Sequence, residues 1–146
     1  MASYKESTYD YGNKIDYNIH MKLNAIGVTS TNIPKTVEFY ALLGFEFPED
    51  YDCNGHVAPT TPPGSARLMI DATKIVKDII GEDPKAGNIS AFALQYDSVE
   101  ELNKVAARVS EAGFTVFKEP WDAFWGQRYA VVQDPDGFKV DLYAYL

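Results

Sequence analysis

The feature that most restricts the fold of this chain is an approximate repeat of one pattern in its two halves. A helical pattern that ends in a glycine and is followed by alternating apolar residues occurs at Gly44 and again at Gly113, 69 positions later. A proline-containing turn ahead of an apolar run occurs at Gly64 and again at Gly137, 73 positions later. Two landmarks displaced by nearly the same distance indicate a duplicated unit.

The first half predicts a strand, a helix and further short strands. Asn32 or Thr31 can cap a helix that carries Pro34 in its first turn and ends at Gly44. A second, amphipathic helix is predicted over Thr73–Ile80. The strands predicted in this half are Leu23–Val28, Phe45–Phe47, a short one near His56–Ala58, and Ala66–Ile70.

The second half repeats this order. Ser98 and Glu101 form a capping box at the start of an amphipathic helix that Gly113 ends. The segment Pro120–Gly126 holds both tryptophans and is predicted as a loop between its bracketing proline and glycine. The predicted strands are Ile89–Tyr96, Phe114–Phe117, Arg128–Gln133 and Phe138–Tyr145.

These elements predict an α+β fold of two tandem βαβββ modules that form a curved mixed sheet with a cleft. The modules span about residues 21–86 and 87–146 of a single domain that starts at Met21. A sheet face that one module cannot bury alone would line the cleft, and such clefts are frequent ligand sites. Residues 1–20 are tyrosine-rich and poor in aliphatic side chains. They are predicted to be a flexible extension, native or added, and the alternative is an arm that binds a partner.

The charge balance narrows the range of partners. Thirteen Lys and Arg residues against twenty-one Asp and Glu give a net charge of −8, which disfavours nucleic acid and anionic membranes as partners. No apolar run approaches the roughly 18 residues that span a bilayer, and the N-terminus lacks the apolar core of a signal peptide. A single cysteine, Cys53, cannot form an intrachain disulfide. We therefore expect a cytoplasmic protein.

Several motifs in the predicted order resemble the vicinal oxygen chelate superfamily, which includes glyoxalase I, bleomycin resistance proteins and extradiol dioxygenases. The resemblance covers Met21 to Leu146. The motifs that carry it are Thr36–Tyr40 with Leu42–Phe45, Gly126–Ala130, Asp134–Gly137, and Val140–Leu142.

The resemblance implies a metal site in some members, with histidines and glutamates on the first and last strand of each module. In this chain the two histidine positions correspond to Ala25 and Ala91, which cannot bind a metal, and the last carboxylate position corresponds to Asp141. The last strand of the first module offers Leu68 or Met69, which are poor ligands for a hard cation. The chain has only His20 and His56. We therefore expect no family metal site and no cofactor, and favour a binding protein over an enzyme.

The resemblance implies that metal-free members work as homodimers that bind a small organic molecule without changing it. The sequence supplies aromatic faces that can stack on flat ligands and hold cations, and a carboxylate that can pair with a cationic group. The predicted ligand-binding residues are Trp121, Phe124, Trp125, Gln127, Arg128, Asp141 and Tyr143.

Each of these assignments has a structural alternative. The aromatic rings could close a core edge or a dimer contact, since aromatic residues serve interfaces as readily as pockets. Asp141 could be a carboxylate that fixes Arg128 or a backbone amide, and Arg128 could form a structural ion pair. The main hypothesis is a metal-independent protein of bleomycin-resistance type that binds a drug or another cationic aromatic molecule. The alternative function is a glyoxalase-like lyase or isomerase, or a dioxygenase, with an atypical metal site. A third hypothesis is a protein-interaction module.

Overall fold

A computed structural model describes residues 21–146 of the chain, which form two sheets and three helices. The predictions for residues 1–20, a flexible extension or a tyrosine arm, lie outside the described residues. The elements in chain order are β1 (Ala25–Ser30), α1 (Ile33–Leu42), β2 (His56–Val57), β3 (Arg67–Ala72), α2 (Thr73–Ile80), β4 (Ser90–Gln95), α3 (Val99–Glu111), β5 (Thr115–Ala123), β6 (Gln127–Gln133) and β7 (Lys139–Tyr145). The α+β prediction with two related modules is confirmed.

Module 1, residues 21–86, holds a three-stranded sheet in the order β1-β3-β2, which we call sheet A. Strand β1 runs parallel to β3, and β2 runs antiparallel to it. Module 2, residues 87–146, holds a four-stranded sheet in the order β4-β7-β6-β5, which we call sheet B. Here β4 and β7 are parallel and the other pairs are antiparallel. Module 2 is thus a complete βαβββ unit.

Module 1 lacks the strand that was predicted over Phe45–Phe47. The backbone of this segment instead accepts one hydrogen bond, from Thr60 N to Glu46 O at 2.8 Å, and donates one to helix α1, from Phe45 N to Tyr40 O at 3.2 Å. Pro48 follows directly and has no N–H to continue a ladder. The alternating apolar residues therefore pack their side chains against the core without forming a ladder.

The two main helices begin where the sequence predicts. The Asn32 side chain accepts a hydrogen bond from Lys35 N at the start of α1, and Ser98 accepts one from Glu101 N at the start of α3. The Glu101 carboxylate in turn accepts a hydrogen bond from Asp97 N, which completes the N-terminal cap. Within residues 21–146 no helix is long and apolar enough to cross a membrane.

The core lies between the sheets and joins the modules. Phe39 and Tyr40 of α1 are fully buried, and their rings contact Phe114 and Phe92 of module 2 at centroid distances of 5.4 and 6.2 Å. Leu102 of α3 is also fully buried in this cluster. The modules therefore meet through their helices. We call the face of each sheet that points away from this core its open face. Because the open faces point away from this contact, they do not form a cleft with each other within residues 21–146.

Candidate functional site

The open face of sheet B carries a row of aromatic side chains that crosses three strands. Side chains alternate between the faces of a strand, and on β7 Val140, Leu142 and Ala144 are buried against the core. Tyr143 therefore lies on the open face. Its cross-strand neighbour on β6 is Tyr129, whose own neighbour on β5 is Trp121. We call Trp121, Tyr129 and Tyr143 the aromatic row.

The rings of the aromatic row contact one another directly. Tyr129 and Tyr143 are stacked, with centroids 6.2 Å apart and an interplanar angle of 15°. Trp121 meets Tyr129 at 5.3 Å and 61°. Tyr145 extends the face at the end of β7, with its ring 6.0 Å from that of Tyr143. Contacts of this kind hold rings in fixed orientations, so the row presents a preformed apolar surface.

The turn between β5 and β6 adds two further rings. Gly126 has a φ of 92°, a left-handed conformation that favours glycine and allows this tight reversal. The Trp125 ring lies 5.5 Å from Tyr129 and 6.2 Å from Trp121, and its indole N–H donates to Gln127 Oε1 at 2.8 Å. Phe124 contacts Trp125 but is 96% exposed. Trp125 therefore belongs to the aromatic surface, and Phe124 projects from its rim.

The prediction of a loop over Pro120–Gly126 is only partly right. Strand β5 continues to Ala123, and only the residues after it form the turn. Pro120 is accommodated because β5 is an edge strand and its pairing with β6 shifts register between Lys118 and Trp121. Proline is tolerated at an edge bulge, where no N–H is needed for the ladder.

Asp141 lies on the same open face and is held by two hydroxyl groups. Its Oδ2 accepts a hydrogen bond from the Tyr129 hydroxyl at 2.5 Å, and its Oδ1 accepts one from the Ser90 hydroxyl. Burial, followed by the hydrogen bond and the charge of Asp141, raises the pKa of Tyr129 above its usual value. Tyr129 is therefore held as a neutral donor, and Asp141 supplies a fixed negative charge beside the row.

A cation already lies on one ring of the row. The ammonium group of Lys118 is 4.1 Å from the centroid of Trp121. A protonated amine over an indole face is attracted by the electron density of the ring. The surface can thus hold a positive charge on its rings as well as beside Asp141.

Arg128 and Gln127, the two polar residues predicted beside the rings, lie on opposite faces of β6. Gln127 is near the rings through Trp125. Arg128 instead donates to Asn103 of α3 at 3.2 Å and forms an ion pair with Asp122 at 3.1 Å. The geometry matches the structural alternative that the sequence left open for Arg128.

The open face of sheet A has a different character. His56 Nδ1 lies 2.6 Å from Asp71 Oδ1, and Met69 and Gly27 occupy adjacent positions on β3 and β1. The register equates the His56–Asp71 pair with the Tyr129–Tyr143 pair of sheet B. The two modules therefore offer unlike surfaces, one aromatic and one polar.

The donor groups do not fit the metal site of the superfamily. Ala25 and Ala91, the residues that the resemblance assigns to the histidine positions, have side chains without a donor atom. Both oxygens of Asp141 are already engaged by hydroxyls. Among residues 21–146 no group of three or more His, Cys, Asp or Glu side chains converges. A catalytic zinc needs about three protein ligands.

Four residues of the site escaped the sequence reasoning: Tyr129, Ser90, Lys118 and Gln95. Tyr129 could have been found, because it alternates with the buried Ala130 along β6. Gln95 accepts from the Tyr143 hydroxyl at 3.2 Å, across a parallel pairing of β4 and β7 whose register no local pattern reveals. Lys118 precedes the predicted Pro120–Gly126 loop, and no local pattern places its ammonium group over Trp121.

Comparisons with known proteins agree with the fold. The family model described as "Glyoxalase/Bleomycin resistance protein/Dioxygenase superfamily" matches residues 22–142. No curated protein matches the sequence. A glyoxalase-related enzyme from Fulvimarina pelagi is similar with a TM-score of 0.73 and 15% identity, over 86% of this chain and 88% of that one.

Two further solved structures are similar over most of their length. A glyoxalase/bleomycin resistance protein/dioxygenase family enzyme from Burkholderia phytofirmans gives a TM-score of 0.70 at 18% identity, covering 86% of this chain and 100% of that one. A hypothetical protein from S. aureus gives 0.69 at 20% identity, covering 82% and 91%. At these identities the likeness concerns the fold.

Proposed function

The chain belongs to the glyoxalase/bleomycin resistance protein/dioxygenase superfamily, and on that premise we propose that it is a metal-independent protein of bleomycin-resistance type that binds a planar, cationic organic molecule. The observation that carries the proposal is the aromatic row on the open face of sheet B. Trp121, Tyr129 and Tyr143 form a continuous run of ring contacts across three strands. A flat molecule can stack on such a surface without first ordering its side chains.

The charge of the surface supports a cation as the ligand. Asp141 is fixed next to the row, and the Trp121 face already holds the ammonium group of Lys118 at 4.1 Å. A ligand cation could take either position. The net charge of −8 adds long-range attraction for cations and repulsion for anions.

A homodimer is the second part of the proposal. The open faces of both sheets point away from the core formed by residues 21–146, and a single open sheet face encloses little of a ligand. Placing sheet A of one copy over sheet B of another would enclose a ligand between the polar pair His56–Asp71 and the aromatic row. The cleft predicted from the sequence would then form between copies.

Isothermal titration calorimetry with proflavine, a planar cation, tests the ligand class. We expect stoichiometric binding that EDTA leaves unchanged, and much weaker binding of fluorescein, a planar anion. Removing a stacking ring in Tyr143→Ala should weaken proflavine binding about three- to tenfold. Phe117→Ala is the matched control, since Phe117 is an exposed ring of β5 that contacts Lys139 and takes no part in the row. Equal affinity for both dyes, or equal loss in both variants, would contradict the proposal.

Metal analysis distinguishes the alternative function, a lyase, isomerase or dioxygenase with an atypical site. Protein purified without a histidine tag should contain no stoichiometric divalent ion. One bound ion per chain that disappears in Asp141→Ala would favour the enzyme hypothesis and oppose the binding protein.

A further inference from the structure

A cavity among the described residues lies beside the outer edge of β4. Its volume is about 600 Å³, which is within the range of small-ligand pockets. One wall is strand β4 near Leu94, and the other is formed by the chain after α1 and the turn before β3. The apolar lining includes Leu43, Phe45, Pro62 and Pro63.

The duplication shows how this corner differs from its counterpart beside β1. In module 2 the turn before the last strand carries Asp136, whose carboxylate accepts from the backbone N–H of Thr31 at 3.2 Å and from its hydroxyl at 2.8 Å. Thr31 directly follows β1, so this contact ties the turn to the end of that strand. The position 73 residues earlier, matching the spacing of the two turns, is Pro63. Proline has no side-chain acceptor, and the equivalent corner next to β4 is not closed by such a contact.

The edge of β4 presents free backbone groups to the cavity. Tyr96 N donates to Tyr143 O of β7, so the alternate residues Ala93 and Gln95 direct their N–H and C=O groups away from β7. Among residues 21–146 no strand pairs with β4 on this side, and both residues are exposed. The opposite edge strand, β5, is protected by Lys118, Glu119, Pro120 and a register shift, whereas β4 contains neither a charged residue nor a proline.

We propose that this cavity is a second binding site, which takes an extended apolar peptide segment with a basic residue as an added strand on β4. Ala93 and Gln95 repeat a donor and an acceptor about 6.6 Å apart, which is the two-residue repeat of a β-strand. A peptide backbone matches both groups at once, and the apolar walls receive its side chains. Glu46 lines the cavity and carries an exposed carboxylate, which selects a positive charge.

The two proposals meet at Gln95, which lines this cavity and whose side chain accepts from the hydroxyl of Tyr143 in the aromatic row. They still fail separately, because the proflavine tests report on the rings of sheet B and the peptide test reports on the backbone amides of β4. The probe is the peptide acetyl-Lys-Val-Leu-Val-amide, added to the full chain labelled with ¹⁵N. We expect chemical-shift changes centred on β4, and amide exchange of Ala93 and Gln95 slowed about tenfold when the peptide is at ten times its Kd. The backbone N–H of Leu94 is directed at β7, so its exchange rate serves as the internal control. A second copy of the chain could occupy this edge instead. In that case the amides of Ala93 and Gln95 would exchange slowly without peptide, and still more slowly at higher protein concentration, which would overturn the proposal.

An N-methylated probe peptide and one pair of variants distinguish the addition of a strand to β4 from binding by apolar contact alone. Methylating two alternate amide nitrogens of the probe removes donors for β4 and should abolish the exchange protection. Glu46→Gln should weaken binding of the lysine peptide about two- to fivefold, whereas Glu100→Gln, an equal charge change on exposed α3, should leave it unchanged. If the methylated peptide binds as well as the parent, or neither peptide binds at millimolar concentration, the proposal is wrong.

Discussion

A single buried carboxylate connects the two modules at the level of residues. The Tyr40 hydroxyl of α1 donates to Asp134 Oδ2 at 2.8 Å, while Asp134 Oδ1 accepts from the backbone N–H groups of Asp136 and Phe138 at 2.9 and 3.0 Å. Tyr40 is fully buried and Asp134 is 3% exposed. Burial and the adjacent Asp134 charge raise the pKa of Tyr40, which keeps the hydroxyl as a donor.

The ionisation of Asp134 should make stability depend on pH. Burial raises the pKa of Asp134 above its ordinary 3.8, against the opposing effect of its three hydrogen bonds. The folded state then binds the proton more tightly than the unfolded state does. The contribution to stability is complete below pH 3.8 and is lost as the pH rises through the raised folded-state pKa.

Asp134→Asn removes this ionisation while keeping an acceptor for the two backbone amides. In urea denaturation between pH 3.5 and 6.5, we expect the free energy of unfolding of the native protein to fall relative to that of the variant as the pH rises. A difference that is independent of pH would contradict the prediction. A difference that grows in favour of the native protein would mean that the hydrogen bonds dominate over burial.

Lys118 should compete with a cationic ligand for the face of Trp121. Its ammonium group, 4.1 Å from the indole centroid, must be displaced before a ligand cation can bind there. Lys118→Met should therefore increase the affinity for proflavine about two- to fivefold, as expected for an exposed cation–π contact. Lys139→Met is the matched control, because Lys139 makes the same contact with Phe117 outside the row. Calorimetry that shows equal or reduced affinity in Lys118→Met would oppose a cation site on Trp121.

At the level of elements, capping side chains determine where the two main helices begin. Ser98 accepts from Glu101 N at 3.1 Å and fixes the first turn of α3. Ser98→Ala should lower the free energy of unfolding by about 1 kcal/mol. Ser110→Ala, on the exposed side of the same helix, should have little effect or stabilise slightly, because alanine favours helix. Thermal and urea unfolding of the two variants measure the difference, and equal behaviour would show that the cap is not needed.

Local chemistry explains which elements could be predicted from the sequence. The capping box at Ser98 and the left-handed Gly113 act within a few residues, and the structure places the end of α3 accordingly. The alternation along β7 likewise placed Asp141 and Tyr143 on one face. The Phe45–Phe47 strand was wrong because alternation reports which side chains are buried, and a ladder also needs a neighbour with free N–H and C=O groups.

Sheet B contains features that could not be predicted from the sequence. Pro120 indicated a loop, but an edge position with a register shift accepts it within β5, and edge position depends on strand order. The contact of Tyr129 with Asp141 likewise depends on the pairing of β6 with β7. These features depend on which strands pair. The local sequence around each residue does not show that pairing.

At the level of the whole molecule, the modules meet through α1 and α3, so the unlike open faces of sheets A and B are available to a second copy. If a ligand is enclosed between two copies, it binds the dimer more tightly than the monomer, and mass action links ligand binding to dimer formation. In sedimentation equilibrium, proflavine should shift the chain of 16.3 kDa toward twice that mass.

A charge placed on the open face of sheet A tests this linkage from the side opposite the aromatic row. Met69 lies on that face beside Gly27, and Met69→Lys should weaken dimer formation and proflavine binding together, although it changes no residue of sheet B. Glu111→Lys, on the exposed end of α3, adds a charge outside both open faces and should leave both unchanged. If monomers of Met69→Lys each bind one proflavine with unchanged affinity, sheet B alone is a complete site and the proposal of a ligand enclosed between two copies is wrong.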